Sequence, residues 1–406
     1  MTANTRQGGP ITPSGTGVRP WLAIGAYGIF MASTQLPWLT YGPVTNEASA
    51  ALGVSEGAVG DLAVVVPLFY VILGIPSGRW LDRWFRPTLV VGTVLSGAGA
   101  VIRAVDAHSF AWALAGQIVL SVGQPLVINA ITKLPARHFT ATRRTVAVAL
   151  VTAAQFVGIL VAASTGSWLM AEGGLTLLVG VHAVVVATAC AVFLASLGIS
   201  TRIPAEAAVK TSPGIIRMNR DLWLLAGQLF IGFGLFNALA TWLDTIQTDF
   251  GNPDLGGALV TVITVAGIVG CMVLPTLATR FGHRRRLLML IGAITTIAMP
   301  AFLFLREPLA LFAVSAIMGF VLMAGMPAAL DWSEVIAGRE HAGAVAGFLM
   351  VIGNLGGTLY VLAVQPLLSE PEIAILVLTL LAAPWALLAQ RHRSEPARRA
   401  AEGALT

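Results

Sequence analysis

The chain has 406 residues, of which 56% are hydrophobic and only 11% are charged, whereas about 25% of the residues of soluble domains are charged. That balance excludes an ordinary soluble domain and is typical of a membrane protein, so the formal net charge of +5 does not indicate nucleic-acid binding. Both cysteines, Cys190 and Cys271, fall in apolar runs, where a thiol behaves as a small hydrophobe, so no disulfide framework is expected.

Twelve apolar runs are long enough to cross a hydrocarbon core, which takes about 20 helical residues. They lie at about 20–43, 57–77, 88–106, 109–132, 145–169, 174–199, 222–246, 256–278, 287–305, 308–332, 341–367 and 371–390. The predicted fold is therefore an all-α membrane protein with twelve transmembrane helices. We expect two six-helix bundles, 19–200 and 222–391, joined by a cytoplasmic linker at 201–221. Residues 1–18 lack a signal-peptide core and, like 392–406, are expected to form a tail.

The basic residues are distributed unequally between the two sides of the predicted bundle. With the N-terminus in the cytoplasm, all 24 lysines and arginines except Arg103 and Arg306 fall on the cytoplasmic side. The positive-inside rule therefore predicts cytoplasmic termini and an even number of crossings. We expect a multi-pass protein of the cytoplasmic (inner) membrane.

A repeat relates the two halves of the chain. The stretch GRWLDRWFRP follows run two and PTLATRFGHRRR follows run eight, at an offset of 197 residues (Gly78 to Pro275). The same offset carries Arg144 onto His341. This spacing predicts that a six-helix unit has been used twice.

The loop after run two resembles the short signature of the major facilitator superfamily. That signature is a glycine, three residues, an acidic residue, a basic residue, one residue, a second glycine and then basic residues. Gly78, Asp82, Arg83 and Arg86 match it, while Phe85 replaces the second glycine. The resemblance implies a twelve-helix transporter that works by alternating access.

The second half keeps only part of this signature. Arg280, Gly282 and Arg284 preserve its basic portion, while Thr279 replaces the acidic residue. A carboxylate that faces helix ends and arginines across a cytoplasmic seam can hold one conformation, so we interpret both loops as a conformational latch. Loops that are rich in arginine only to set orientation are the alternative.

A narrower resemblance involves three local stretches: QLPWLTYG in run one, GQPLVINAITKLPARHF in run four and its loop, and AAQFVG in run five. They are similar to the branch that contains the feline leukaemia virus subgroup C receptor transporters, which are associated with choline and, earlier, with haem. The resemblance implies that Trp38 lies against the substrate and that Gln155 corresponds to the glutamine on helix five of that family. Pro37 is expected to kink run one.

Polar side chains recur at helical spacing on three of the runs. They are Tyr27, Thr34, Trp38 and Tyr41 on run one, with Gln35 beside them, Gln117, Ser121 and Gln124 on run four, and Asn237, Thr241 and Asp244 on run seven. Gln155 and Asn354, on runs five and eleven, fall within about one turn of mid-span. Since an unpaired amide in hydrocarbon costs several kcal/mol, these residues predict a watered substrate cavity. Helix packing and, for Trp38, interfacial anchoring are the alternatives.

Charged residues near the helix ends are candidates for coupling or gating. Asp61 and Arg103, near the outer ends of runs two and three, could form an ion pair, and Asp244 on run seven is a further candidate. Asp61 could equally be a helix-end charge favoured by the helix dipole. Asp331 and Glu334 lie at the cytoplasmic end of run ten, where they predict part of the inner latch or a solvated face.

The expected substrate follows from the charges of the cavity. With no carboxylate, lysine or arginine firmly at mid-membrane, aromatic and amide side chains favour a neutral polar metabolite or an organic cation and disfavour anions. Run five has no proline and run four no arginine, unlike proton-linked drug antiporters of the superfamily. His182 in run six has no evident partner.

The leading interpretation is a secondary active or facilitative transporter that takes up such a molecule. Efflux of amphipathic compounds by proton antiport is one alternative, and a non-transporting sensor or receptor is another. The chain has no zinc-protease helix, nucleophile elbow or phosphate-binding loop, so neither an enzyme nor a cofactor or metal is expected. The expected partners are the substrate, the lipid bilayer and a proton or another coupling ion, with the protein a monomer and no nucleic acid bound.

Overall fold

The computed structural model describes residues 18–139, 141–199, 219–253, 255–337 and 342–392. We refer to 18–199 as the first half and to 219–392 as the second half. Most of the predicted tails and linker lies outside the described residues. So does His341, which the repeat pairs with Arg144.

Every regular element in the described residues is helical. The helices of the first half are α1 Val18–Ser33, α2 Gln35–Leu39, α3 Thr45–Leu52, α4 Glu56–Arg83, α5 Phe85–Arg103, α6 Phe110–Ile128, α7 Lys133–Ala136 and α8 Ala141–Ile199. Those of the second half are α9 Arg220–Asp249, α10 Leu255–Phe281, α11 Arg284–Ala298, α12 Ala301–Phe304, α13 Pro308–Leu322, α14 Gly325–Ala337, α15 Ala342–Val364, α16 Pro371–Ala382 and α17 Pro384–Gln390. Short 3₁₀ turns cover Gly42–Val44 and Gln365–Leu367.

Ten helical stretches of the described chain are long and apolar enough to cross a membrane. In this count the stretch Val146–Leu197 appears as one helix, although Gly173 and Gly174 inside it have non-helical dihedral angles and divide it into two helices. The count of ten also leaves out α1, which has only 16 residues before run one is interrupted. The all-helical membrane fold is confirmed, whereas the twelve crossings and the orientation of the termini stay predictions.

Proline explains where several of the long helices are broken. Pro37 cannot donate a backbone hydrogen bond, and its ring clashes with the carbonyl of Ser33, four residues earlier. Run one is accordingly interrupted at Thr34. Pro300 and Pro327 similarly follow the ends of α11 and α13. The kink that was predicted for Pro37 is confirmed.

A pair of glycines makes the turn inside α8. Gly174 has φ 62° and ψ −162°, a combination that is essentially restricted to glycine. The chain can therefore reverse between the two apolar halves of α8 without a longer loop.

The same close helix contact occurs in both halves of the molecule. The backbone of Ala32 on α1 lies so close to Gly158 on α8 that a Cβ would not fit, and Phe230 on α9 leaves no room for a Cβ at Gly356 on α15. Phe230 lies 198 positions after Ala32, and Gly356 lies 198 positions after Gly158. The repeat inferred from the loop motifs therefore extends to the helix packing.

The two halves also pack against each other, through α4 with α15 and α8 with α10. Leu36, Leu39 and Val64 of the first half belong to the same buried cluster as the core of the second half. Large apolar side chains such as Leu309 and Phe304 are about 80% exposed on the perimeter (82% and 80%), which fits contact with lipid. The interior between the halves is thus the place where a substrate site can be built.

Candidate substrate cavity

Trp38 connects the two halves near the break in run one. Its indole Nε1 donates a hydrogen bond to the Ala63 carbonyl on α4 at 3.3 Å, and its ring lies 6.4 Å from the ring of Phe236 on α9, tilted by 36°. The residue is only partly buried. One aromatic pair therefore spans the seam between the halves while its surface stays open to a ligand.

The neighbours of this pair on the second half are amides. Asn237 follows Phe236 on α9, is 6% exposed, and packs so closely on Gly357 of α15 that a Cβ there would clash. Asn354 lies one turn before Gly357 and is partly exposed. Its Nδ2 donates to the Met350 carbonyl in its own helix at 2.8 Å, which leaves Oδ1 without a hydrogen bond among the described residues.

Gln155 is the other predicted cavity residue that remains partly exposed. It lies three residues before Gly158, whose contact with Ala32 fixes this part of α8 alongside α1. Gln35 on α2 is also partly exposed and donates to the Thr34 hydroxyl at 3.2 Å. Together with Trp38 and Asn354, these side chains are the predicted cavity residues that stay partly exposed in this conformation.

The predicted stripe on α6 has a different role in this conformation. Gln117 donates to the Leu62 carbonyl at 2.9 Å and Gln124 to the Thr34 carbonyl at 3.5 Å, while the Ser121 hydroxyl donates to the Gln117 carbonyl. All three residues are at most 1% exposed. The two glutamines join α6 to α4 and to the break in run one, and the Ser121 hydroxyl bonds its own helix. None of the three lines open space in this conformation.

The outer end of the bundle is closed above Trp38. We use "outer end" for the end that carries residues 40–48 and 240–249, which the basic-residue bias predicts to face away from the cytoplasm. There the Thr45 hydroxyl donates to the Thr241 carbonyl at 3.3 Å, and Asn46 Nδ2 donates to the Thr248 hydroxyl at 2.9 Å. Both hydrogen bonds cross from one half to the other.

Close backbone approach completes this closure. A Cβ would not fit at Gly42 against Ala240, or at Gly60 against Trp242. The space left between Trp38 and this closure is a cavity of about 10 Å³, enough for about one water molecule. Trp38 thus lies at the inner edge of the closed outer end.

Arg103 and Asp61 do not form the ion pair that was considered. Arg103 is 2% exposed, donates to the Pro37 carbonyl at 2.6 Å and lies 4.9 Å above the Tyr41 ring. Asp61 is exposed and has the Gln365 side chain as its hydrogen-bond partner. Arg103 is drawn to the Pro37 carbonyl because α2 ends at Leu39, two residues later, which leaves this carbonyl without a backbone donor in its own helix.

The remaining outer residues are buried. Tyr41 and Asp244 are 5% and 3% exposed, and Thr34 bonds its own helix at the Met31 carbonyl. The expectation that His182 lacks a partner is wrong, because its Nδ1 lies 2.9 Å from the Thr40 hydroxyl. A histidine on α8 is thereby linked to the interrupted part of run one.

The first predicted latch is found inside one half and not across a seam. Asp82 pairs with Lys133 of α7 at 2.5 Å, and the same ammonium group donates to the Gly78 carbonyl. Arg86 donates to the Leu197 carbonyl at 3.2 Å, and Arg83 stacks on a neighbouring ring. All of these groups belong to the first half. Lys133 reaches Asp82 because α7 lies directly beside the end of α4.

The described ion pair of the second latch also joins residues of one half. Arg284 Nε bonds the Asp331 carboxylate at 2.7 Å, whereas Glu334 is exposed. Arg280 lies 5.9 Å above the ring of Phe281. Gly282 has φ 67°, a left-handed conformation that favours glycine and ends α10 before α11 begins.

Several interacting residues escaped the sequence interpretation. Phe236 carries no polar signal, and only its position beside Asn237 on the stripe of run seven could have drawn attention to it. Lys133 stands within a quoted stretch but was not assigned to Asp82. Asn46 lies beyond run one, in α3. For metals, the described residues contain no group of three or more histidine, cysteine, aspartate and glutamate side chains that could hold an ion.

Comparisons with known proteins agree with this architecture. Solute carrier family 49 member A3 of Danio rerio is 27% identical over 374 residues, which cover 86% of this chain and 78% of that protein. The choline/ethanolamine transporter FLVCR2 of Homo sapiens is 20% identical over 375 residues, 85% of this chain and 71% of that protein. The chain is thus similar along most of its length to proteins named as carriers.

Solved structures share the fold at low sequence identity. The crystal structure of a bacterial homologue of the human lysosomal transporter Spinster has a TM-score of 0.71 and 15% identity, over 93% of this chain and 99% of that chain. The sequence model of the Major Facilitator Superfamily matches residues 22–361. The chain therefore belongs to the Major Facilitator Superfamily and is a multi-pass membrane transporter, not an enzyme.

Proposed function

We propose that this protein takes up a small organic cation or a neutral polar metabolite across the cytoplasmic membrane by alternating access. The observation that carries the proposal is the pair of Trp38 and Phe236, which spans the two halves with its surface partly open. The partly exposed amides of Gln155 and Asn354 supply the polar groups of the same predicted cavity. Uptake would be driven by the substrate gradient, a proton or the membrane potential.

The chemistry of these side chains favours a cation or a polar neutral molecule. An aromatic face attracts an ammonium group, by about 0.5–1 kcal/mol at exposed sites and about 2 kcal/mol or more where water is excluded. Amides can hydrogen-bond both donors and acceptors. Choline and ethanolamine, which the name of the FLVCR2 relative states as its substrates, have this chemistry.

The closed outer end supports alternating access between two rocking halves. For a substrate to enter from outside, the hydrogen bonds from Thr45 to Thr241 and from Asn46 to Thr248 must break. We propose that the bundles 19–200 and 222–391 move as units, and that the pairs Asp82–Lys133 and Arg284–Asp331 keep each unit intact. Asp61, Arg103 and Asp244 are the proposed gate or coupling residues at the outer end.

Efflux of amphipathic compounds receives less support. An adaptable wall for such compounds would use Met318, Met323 and Met326 of run ten. Met318 and Met323 are 0% and 7% exposed and pack in the core, so that only Met326 of the three is partly exposed. A sensor without transport would bind substrate and show no flux in liposomes.

The experiment begins with a thermal-shift screen of the purified protein against choline, ethanolamine, amino acids, small anions and amphipathic drugs. We expect an ammonium compound to raise Tm, and the same compound to be carried into proteoliposomes. Trp38→Ala should weaken its binding by about ten-fold or more, from the loss of about 2 kcal/mol of cation–π attraction. Trp38→Phe should retain part of the affinity.

Matched variants separate binding from stability. Gln155→Ala is expected to lower affinity as well, whereas Trp168→Ala changes a tryptophan that is 59% exposed on the perimeter and should leave affinity unchanged. Stabilisation by anions or drugs alone, or equal ligand responses in Trp38→Ala and Trp168→Ala, would contradict the proposed substrate class.

A further inference from the structure

An exposed apolar stripe runs along α4. Leu68, Ile72 and Ile75 are 40%, 56% and 54% exposed, and their spacing of four and three residues places them on one helix face. Continuing by four and four residues on that face leads to Arg79 and Arg83, both exposed. A lipid-facing surface thus continues directly into two arginines at the end of α4 that is predicted to be cytoplasmic.

Two tryptophans flank these arginines. Trp80 and Trp84 are 42% and 52% exposed, and the guanidinium carbon of Arg83 lies 4.6 Å above the Trp84 ring. Among the described residues neither Arg79 nor Arg83 forms an ion pair, and the adjacent Asp82 is held by Lys133. Tryptophan prefers the membrane–water interface, so this cluster lies at the depth of lipid headgroups with its cationic donors uncommitted.

The repeat supplies an internal comparison on α10. At the offset of 197 residues, α10 exposes Val265, Val269 and Met272, followed by Thr276, Leu277, Arg280 and Phe281. The apolar stripe is therefore the same in both halves. The second half, however, has one arginine where the first has two, and no tryptophan. Since α10 ends in the same way without them, the second arginine and the two tryptophans of α4 are not required for the fold of such a helix end.

We propose that Arg79, Trp80, Arg83 and Trp84 form a docking surface for the phosphate headgroup of an anionic phospholipid in the predicted cytoplasmic leaflet. Guanidinium groups match phosphate geometry bidentately, and a negatively charged leaflet attracts basic residues next to a transmembrane helix. Continuity with the apolar stripe identifies the occupant as a bilayer lipid, whose acyl chains lie along Ile72 and Ile75.

The test measures retained lipid directly. The full chain is titrated with phosphatidylglycerol in detergent, with phosphatidylcholine as the neutral reference, and bound lipids are counted by native mass spectrometry. Each arginine near an anionic surface should contribute about five-fold in affinity, so Arg79→Gln with Arg83→Gln should weaken phosphatidylglycerol binding by about 30-fold. Binding of phosphatidylcholine should stay the same.

Two further variants keep the test decisive. Arg286→Gln removes an exposed arginine of the second half that is off this face and should change affinity by less than about two-fold. Thr276→Arg with Leu277→Trp transfers the surface to α10 and should add a second tightly bound anionic lipid. Equal losses in Arg286→Gln and the double α4 variant, or no added lipid on the altered α10, would overturn the proposal.

Discussion

The outer and cytoplasmic ends of the molecule are held together by different chemistry. At the outer end the described contacts between the halves are hydrogen bonds and close packing, as from Asn46 to Thr248 and of Gly60 on Trp242. One carboxylate takes part, because Asp61 has the neutral side chain of Gln365 as its partner. At the cytoplasmic end the described ion pairs, Asp82 with Lys133 and Arg284 with Asp331, each join residues of the same half.

This difference assigns a separate task to each end. In the proposed cycle, contacts between the halves must break when the outer end opens. Hydrogen bonds between neutral groups, each worth about 1 kcal/mol, keep that opening within reach of thermal motion and substrate binding. Ion pairs within a half need not break at all. We therefore propose that the charged motifs strengthen the moving units and that the outer end determines which conformation is populated.

The largest expected effect comes from filling the contact at Gly60. Gly60→Val places methyl groups where the Trp242 ring lies, and overpacking of this kind costs about 1–3 kcal/mol. Because Gly60 belongs to the first half and Trp242 to the second, we expect the halves to separate at the outer end. Labelling of Thr241→Cys by a membrane-impermeant maleimide should rise about five-fold or more, with Cys190 and Cys271 replaced by serine.

The matched control for this change is Gly25→Val, since a Cβ at Gly25 meets nothing within 4 Å. It should leave labelling of Thr241→Cys at the level of the parent. If Gly60→Val lowers the Tm without raising that labelling, the contact stabilises the fold and does not close the outer gate.

A smaller effect is expected from the hydrogen bond between Asn46 and Thr248. Thr248→Ala removes one neutral hydrogen bond between the halves, worth about 1 kcal/mol, and should raise labelling of Thr241→Cys by about five-fold at most. Asn46→Ala also removes the longer bond that its Oδ1 accepts from the Thr245 hydroxyl at 3.4 Å, so its effect should be somewhat larger. The double variant should raise labelling little further than Asn46→Ala alone, because Asn46→Ala already removes the bond to Thr248.

Ser49→Ala tests whether the removal of any polar side chain from α3 raises labelling of Thr241→Cys. The Ser49 hydroxyl donates to the Asn46 carbonyl inside α3, so its removal should not change labelling. Additive effects of the Asn46 and Thr248 variants would mean that these residues act through separate contacts.

The sequence predicted the transport fold well because its signals are local. Apolar run length, the bias of basic residues and the repeated loop motif each depend on neighbouring residues only. The break at Thr34 followed from Pro37 in the same way. These features need no knowledge of which helices pack together.

Partners across helices could not be predicted with the same success. Gln117 and Gln124 have the spacing of cavity residues, yet their amides bond carbonyls of other helices in this conformation. Arg103 is bound to Pro37 and not to Asp61, because the broken helix offers a carbonyl that a straight helix would have used. Helical periodicity predicts a face, whereas the group opposite that face depends on tertiary packing.

The smallest expected effect is a pH dependence at the cytoplasmic end of the second half. His392, beyond α17, is 3% exposed, and its Nδ1 lies 3.2 Å from the Asp221 carboxylate. Burial lowers its pKa below the ordinary value, and Arg285 and Arg220 act in the same direction, while Asp221 opposes the shift in part. Because the unfolded chain then takes up the proton first, His392 contributes its full stability above about pH 6.5 and loses it as the pH falls.

We therefore expect the Tm of the protein to fall by about 1–3 °C between pH 8 and pH 5.5 through this residue, and His392→Gln to reduce the slope. His108→Gln alters an exposed histidine and should keep the parental slope. Since His392 bonds only within its half, labelling of Thr241→Cys should not change with its protonation. A rise in that labelling at low pH, abolished by His392→Gln, would show that contacts within a half also control the outer gate, and the division of tasks between the two ends would be wrong.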